Sequence, residues 1–349
     1  MKLVQKLLFV TATTFFVAQG CNKDNALNQS EIGTTEELVV GKPAEGARFC
    51  ASHEHNAALM AAEPAFKAQQ ARIEDFTTRF VSLNPALQTR AVVTIPVVVH
   101  VVYKTAAENV SDAQIQSQID ILNADFRKLN ADVTKVPAAF QSLVADCEIQ
   151  FCLAKRTPTG APTTGIERKA TTKRSFSYST NGVKSVASGG LAAWDATQYL
   201  NLWVCTLSNS TLGYAQFPGG ALATDGVVIL NRAFGSTGTA AAPFNKGRTA
   251  THEVGHWLNL RHIWGDDSGA CTGSDQVADT PNQGAENYGC PAATKASCSN
   301  GGDMHMNYMD YTDDACMYMF SAGQKARMQA NLVAGGARYS ITQSGKCNP

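Results

Sequence analysis

THEVGHWLNLRH, residues 251 to 262, carries three of the chain's seven histidines within one short stretch. His252 and His256 are four apart, so on a helix they share a face, one turn above the other. Two neutral imidazoles placed that way can hold a single metal ion. Glu253, next to the first, then stands beside the ion where it can take a proton from water. On a continuing helix, His262 would lie roughly 15 Å further along the axis than His252, whereas a zinc–nitrogen bond is about 2.0–2.1 Å. For His262 to be a ligand, the chain must leave the helix after His256 and turn back. Asn259, midway between the two, tolerates the positive φ that such a turn needs. A bare H-E-x-x-H is weak evidence, but a third histidine at this distance with a turn-capable residue between makes the signal strong.

Further along, MNYMDYTDDAC spans residues 306 to 316. With Met309 and Tyr311 in this turn, the chain resembles the metzincin zinc metallopeptidases, Asn259 standing where most members carry glycine. HEVGHW, NYMDY and the cysteines around them resemble the pappalysin family in particular. The resemblance runs from about Thr94 to the C-terminus and is dense from Leu230 to Phe320. It implies an α+β zincin fold: a twisted mixed five-stranded sheet with a backing helix and an active-site helix, above an irregular, disulfide-pinned C-terminal subdomain. It implies zinc on His252, His256 and His262, Glu253 as general base, Tyr311 as oxyanion partner and Met309 as an apolar floor. It further implies disulfides Cys271–Cys298 and Cys290–Cys316, and calcium at Asp275 and Thr280. The loop GACTGSDQVADTPNQ adds Asp279 to that oxygen-rich set, which from spacing alone reads equally as a solvated acidic loop. His305 is a weaker candidate ligand, since three histidines complete the set, and His100 reads as a structural histidine in a strand.

The 349 residues are 44% hydrophobic and 17% charged, with 29 basic against 29 acidic side chains. That balance gives no reason to expect nucleic acid or an anionic surface as partner; protein or peptide substrates and a monomer are expected. MKLVQKLLFVTATTFFVAQGC begins with two lysines and an apolar run too short to span a bilayer, so residues 1–20 read as a signal peptide. Gly20-Cys21 resembles a bacterial lipobox, which would make Cys21 the lipidated first residue of a surface lipoprotein. Ten cysteines in an exported chain point to disulfides. Setting aside Cys21 and Cys50 leaves eight, an even number, and the pairing of Cys147, Cys152, Cys205 and Cys347 stays open.

Residues 21–90 read as a polar tether followed by a helix-prone segment, and AVVTIPVVVHVVY, residues 91 to 103, begins the body as a buried strand. Further strands are expected at 147–154, 199–207, 212–217 and 226–231. A helix capped by Ser111 presents Ile115, Ile119, Leu122 and Phe126, and a late helix runs near 322–332. The catalytic domain is thus 91–349, divided at 262/263 into an upper and a lower part, with 21–90 as tether and inhibitory prosegment. Cys50, in ARFCAS, is placed to act as a latency switch, because a thiolate can fill the open position of a zinc site. The resemblance implies arginine just after the scissile bond, for which a carboxylate is needed. Asp313 and Asp314 are candidates, whereas Ala315 departs from the acidic residue expected before Cys316. Self-cleavage between Thr89 and Arg90 follows. The expected protein is a secreted or surface-anchored zinc endopeptidase made as a latent proform. The alternative, a zinc-containing surface lipoprotein that only binds, leaves Glu253 without a role.

Overall fold

In a computed structural model of the chain, residues 47–84, 91–267 and 269–348 are described. The signal sequence, Cys21 and the Thr89–Arg90 bond fall outside them. The run from Val93 to Tyr103 forms β1, the hub of the sheet. On one side it pairs in parallel with β4 (Leu200–Cys205). On the other it pairs with two strands in succession, β2 (Ile149–Leu153) along its first half and β3 (Ile166–Ala170) along its second. Beyond β4 lies β6 (Val227–Leu230), parallel, and beyond that the antiparallel edge strand β5 (Gly213–Ala215). The sheet is five positions wide, as expected, but six strands fill it.

The unexpected strand, β3, reads IERKA, with three adjacent charges and no alternation that would mark it. Its charges have partners on both faces. Glu167 meets His100 Nδ1 at 2.9 Å, while Arg168 donates to Asp112 and to the Val110 carbonyl. His100 is thereby a paired structural histidine, its Nε2 against Asn201 Oδ1 at 2.9 Å and its ring stacked on Trp203.

Val97, Val99 and Val101 of β1 face the main core, and Val98 and Val102 face smaller clusters on the opposite side. A strand buried on both faces needs a near-continuous apolar run, and the polar His100 within it is buried with both ring nitrogens paired. Helix α3 (Asp112–Phe126) is capped by Ser111 Oγ, which accepts from Gln114 N. It lays Ile115, Ile119, Leu122 and Phe126 on the sheet, each stabilising by about 1.5–3 kcal/mol. From its other side it positions α4 (Arg248–Trp257). Gln118 Nε2 donates to the Gly247 carbonyl, and Thr251 Oγ1 donates to Asp125.

The C-terminal part is loop-rich around α5 (Ala322–Ala330), which Ser321 and Gln324 close with a capping box. Disulfides Cys271–Cys298 and Cys290–Cys316 pin it, and a third, Cys152–Cys347, ties the chain end to β2. The even count of body cysteines does not translate into four bridges: Cys147 and Cys205 are free thiols. Each is fully buried beside or at the end of a sheet strand, where the thiol packs as a small apolar group. Ahead of the body, α1 (Ser52–Ala62) and α2 (Pro64–Leu83) form a hairpin, with Pro64 starting the second helix and α2 resting on α5.

Candidate active site

Helix α4 ends at Trp257, and Asn259 adopts φ +74°, the left-handed turn expected of it. The turn has two effects. It returns His262 to the helix face, and it aims the Leu260 carbonyl back at His256 Nδ1, 2.8 Å away. His252 Nδ1 meets the Tyr308 carbonyl at 2.7 Å, and His262 Nδ1 meets Asp266 Oδ1 at 2.6 Å. Each Nδ1 faces an acceptor, so each carries the proton and leaves the Nε2 lone pair free. The three Nε2 atoms converge at 3.0, 3.1 and 3.3 Å from one another. Burial, with the neighbouring imidazoles, keeps His252 and His256 well below the ordinary histidine range and therefore neutral. The three Nε2 atoms, each with the opposite ring nitrogen already engaged, face one another at hydrogen-bond distance, an arrangement that calls for a cation. Ligands about 2.0–2.1 Å from one tetrahedral centre sit about 3.3–3.4 Å apart, so the set fits zinc.

Below the helix, Met309 is fully buried with its sulfur against Gly255, where a Cβ would come within 2.5 Å of it. A side chain at 255 would displace the methionine, so glycine allows the floor to rise directly beneath the histidine-bearing helix. Trp264 stacks flat on His262 with ring centroids 4.3 Å apart. Glu253 is fully buried, and burial pushes its carboxyl up to about 7.

The N-terminal segment runs through this site. Residues 49–51 extend the edge strand β5 in parallel, Leu212 N donating to the Phe49 carbonyl and Ala51 N to the Gly213 carbonyl. Cys50 Sγ and the ligand nitrogens of the three histidines all lie within 4.8 Å of one another. Burial, then the Glu253 charge, push this thiol well above its ordinary value; a bound cation reverses that balance and favours the thiolate. Glu253 Oε2 accepts from Ser52 Oγ at 2.7 Å and from the Cys50 thiol at 3.3 Å. Tyr311 OH donates to the Cys50 carbonyl at 2.9 Å. Two residues earlier, Arg48 enters a closed pocket. Its guanidinium reaches Asp314 Oδ1 at 2.5 Å, Thr249 Oγ1 and the Thr312 carbonyl at 3.1 Å, and it lies over the Phe244 ring. Both partners of this ion pair are almost wholly buried. Ala315 is exposed and Asp313 is only partly buried, so the carboxylate in the pocket comes from Asp314.

Sequence and structure now agree on a metallopeptidase site. Residues 185–333 match the family described as peptidase M43, Pregnancy-associated plasma protein-A. An extracellular metalloprotease of Verticillium alfalfae is 32% identical over 294 residues, 80% of this chain and 87% of that protein. The chain belongs to the M43, or pappalysin, family of metallopeptidases. Among solved structures, mature mirolysin of Tannerella forsythia in complex with a cleaved peptide is 50% identical, with TM-score 0.73, covering 75% of this chain and 100% of that one. A promirolysin mutant from the same organism is 45% identical, with TM-score 0.80, covering 86% of this chain and 100% of that one. The share of this pappalysin that is matched grows when the relative is a proform. Its curated relatives are extracellular metalloproteases.

Other candidate residues lie apart from this cluster. His305, the weaker candidate ligand, stands outside it, with neither ring nitrogen hydrogen-bonded among the described residues. Asp275 accepts from Val277 N and from Thr280 Oγ1 at 2.7 Å, so those two residues do meet. Asp279 turns both oxygens to the start of α5, accepting from Ser321 Oγ and Gly323 N. The sequence reading passed over three residues of the site: Asp266, Ser52 and Arg48. Asp266 sits four after His262, but in a turn, where that spacing carries no signal. Ser52 and Arg48 each stand two residues from Cys50, and such proximity was the available clue.

Proposed function

We infer that this pappalysin is made as a latent zinc endopeptidase whose N-terminal segment, residues 47–84, occupies its own cleft, and that the mature enzyme cuts before arginine. The observation that carries this reading is the posture of Cys50. Its thiol faces the three imidazoles while its carbonyl accepts from Tyr311 and its neighbour Ser52 holds Glu253. Each catalytic group is thus engaged by the prosegment in place of a substrate. Zinc on His252, His256 and His262 would acidify a water and polarise the scissile carbonyl. Once the prosegment leaves, Glu253 is free of Ser52 and can take a proton from water and deliver it to the leaving amine. Tyr311, free of the Cys50 carbonyl, can donate to the developing oxyanion. Arg48 on Asp314 supports arginine as the residue after the scissile bond, because a buried carboxylate pairs a guanidinium far better than any neutral side chain. A structural calcium would fall on the Asp275–Thr280 loop. If Cys21 is lipidated, cleavage at Thr89–Arg90 releases a soluble enzyme from the cell surface.

The test uses the proform from Gly41 onward, with zinc, followed by mass spectrometry. The wild type is expected to cut itself between Thr89 and Arg90. Glu253→Ala is expected to keep about one zinc per chain, to lose activity by roughly 10²-fold or more, and to be cut only when wild-type enzyme is added. Spontaneous processing of the Glu253→Ala protein, or a main cut outside residues 80–95, overturns the reading.

A further inference from the structure

Prosegment and metal helix run side by side, and contacts along α4 give the order. Arg48 meets Thr249 in the first turn of α4, and Cys50 meets Glu253 at the level of the histidines. Helix α2 reaches the turn beyond the helix end, where Asn259 Nδ2 donates to Thr77 Oγ1. At this far end Glu74 of α2 is held by two arginines of the body. Arg327 of α5 binds it with both terminal nitrogens, at 2.8 and 2.9 Å, and Arg261 approaches at 3.5 Å. Arg327 also donates to the Asn259 carbonyl, which fixes it beside the turn that carries His262. The side chain of Arg327 is 3% exposed and that of Arg261 41%. Burial pushes the Glu74 carboxyl up, but Arg327, with help from Arg261, outweighs it and holds the group below the ordinary carboxylate range. Glu74, Arg261, Asp266 and the ligand His256 all line one cavity of about 400 Å³ between prosegment and body. When α2 leaves, this cavity becomes open cleft, and the two guanidinium groups lose their carboxylate.

We propose that Arg261 and Arg327 form a subsite of the mature enzyme that takes an acidic side chain, Asp or Glu, on the N-terminal side of the scissile bond. This rests on the reading that arginine after that bond occupies the Asp314 pocket, because the two arginines lie at the opposite end of α4 from it. The chemistry is that of the Glu74 contact itself: one fork-to-carboxylate pair from a buried arginine and a second, looser contact from a half-exposed one. The prosegment then imitates substrate at two separated points, with a cation at one end of the cleft and an anion at the other. The mature cleft selects peptides that are acidic before the cut and basic after it.

The experiment replaces residues 85–90 of the proform with the recognition site of an unrelated protease, so that mature protein is obtained whether or not the chain processes itself. Peptides contain one arginine and carry a single Glu, or Gln as control, scanned through the positions before it. In the Glu253→Ala background, binding is followed by fluorescence anisotropy. At one or two adjacent positions, Glu is expected to bind roughly tenfold or more tightly than Gln. Arg261→Ala is expected to lower that ratio part of the way and Arg261→Ala combined with Arg327→Gln to bring it to one, while the affinity for the Gln peptide stays as in the parent, a loss confined to the Glu peptide that a merely structural arginine does not produce. Equal binding of Glu and Gln peptides at every position overturns the subsite. Preferential binding of a Glu peptide that protein with Glu253 intact fails to cut sustains the subsite and overturns the peptidase reading instead.

Discussion

Asn259→Val tests the geometry of the metal site through a residue that touches no metal. The backbone at 259 sits at φ +74°, a region that asparagine tolerates and a β-branched residue resists at a cost of about 1–3 kcal/mol. The strain has few places to go. On one side, α4 is fully buried over its length, and on the other, the turn must deliver both the Leu260 carbonyl to His256 and the ring of His262 to the cluster. Relaxing the φ therefore moves one ligand and removes the hydrogen bond that sets the tautomer of another. If the full strain falls on the site, zinc affinity drops roughly 5- to 150-fold, at tenfold per 1.4 kcal/mol. Asn259→Gly accepts the same φ without strain. It loses the side-chain contacts of Asn259 with Thr77, at 3.5 Å, and with Glu74 of the N-terminal segment, none of them to a histidine, so its zinc affinity is expected to stay within about twofold of the parent. The assay is competition for zinc against a chromogenic chelator, with circular dichroism to verify that both variants are folded. A Val variant that is folded and holds zinc as tightly as the Gly variant refutes the assignment of the turn.

Cys50→Ala in the proform leaves Arg48 and Glu74 in place but removes the thiol from the histidine cluster; it is expected to mature sooner than the parent, read as the half-time of the shorter chain on a gel, and equal latency would assign Cys50 a packing role. Asp266→Ala takes the charged acceptor from His262 Nδ1, and zinc affinity is expected to fall by roughly 10- to 100-fold. Asp266→Asn keeps an acceptor there and should fall between the two in the same competition assay, whereas identical affinities for all three proteins would remove Asp266 from the site.

What could be read from the sequence was whatever depends on local periodicity. Residues 252, 256, 259 and 262 are determined by helical geometry and one φ, so spacing alone could place them. The run from Val93 to Val102 is apolar except at Thr94 and His100 because both its faces are covered, and the Ser111 cap and its apolar stripe are local signals as well. What could not be read depends on the chain meeting itself. Strand β3 is charged because its side chains pair with residues more than fifty positions away. Asp266 finds His262 only after the turn at Gly265 has formed, and Arg48 finds Asp314 across 266 positions. Cys147 and Cys205 show the limit of counting: an even number permits pairing, but two thiols buried in separate places cannot meet. Ala315, where an acidic residue is expected, faces solvent, while Asp314, one residue earlier, is buried against Arg48.

The bridge from Cys152 to Cys347 closes a loop of 195 residues around most of the enzyme, worth about 5 kcal/mol in the chain-entropy account. For a protein that works among proteases, itself included, the closed ring has a topological meaning. A single nick anywhere in the exposed loops between those cysteines leaves two pieces that are still covalently one molecule, with every site residue from His252 to Asp314 retained. Among the described residues, the N-terminal segment is joined to the ring by no disulfide, since Cys50 is free. A cut inside the ring therefore leaves its pieces covalently joined, whereas a cut ahead of β1 leaves the N-terminal segment held by noncovalent contacts alone, so the same hydrolytic event divides the molecule in one part of the chain and not in the other.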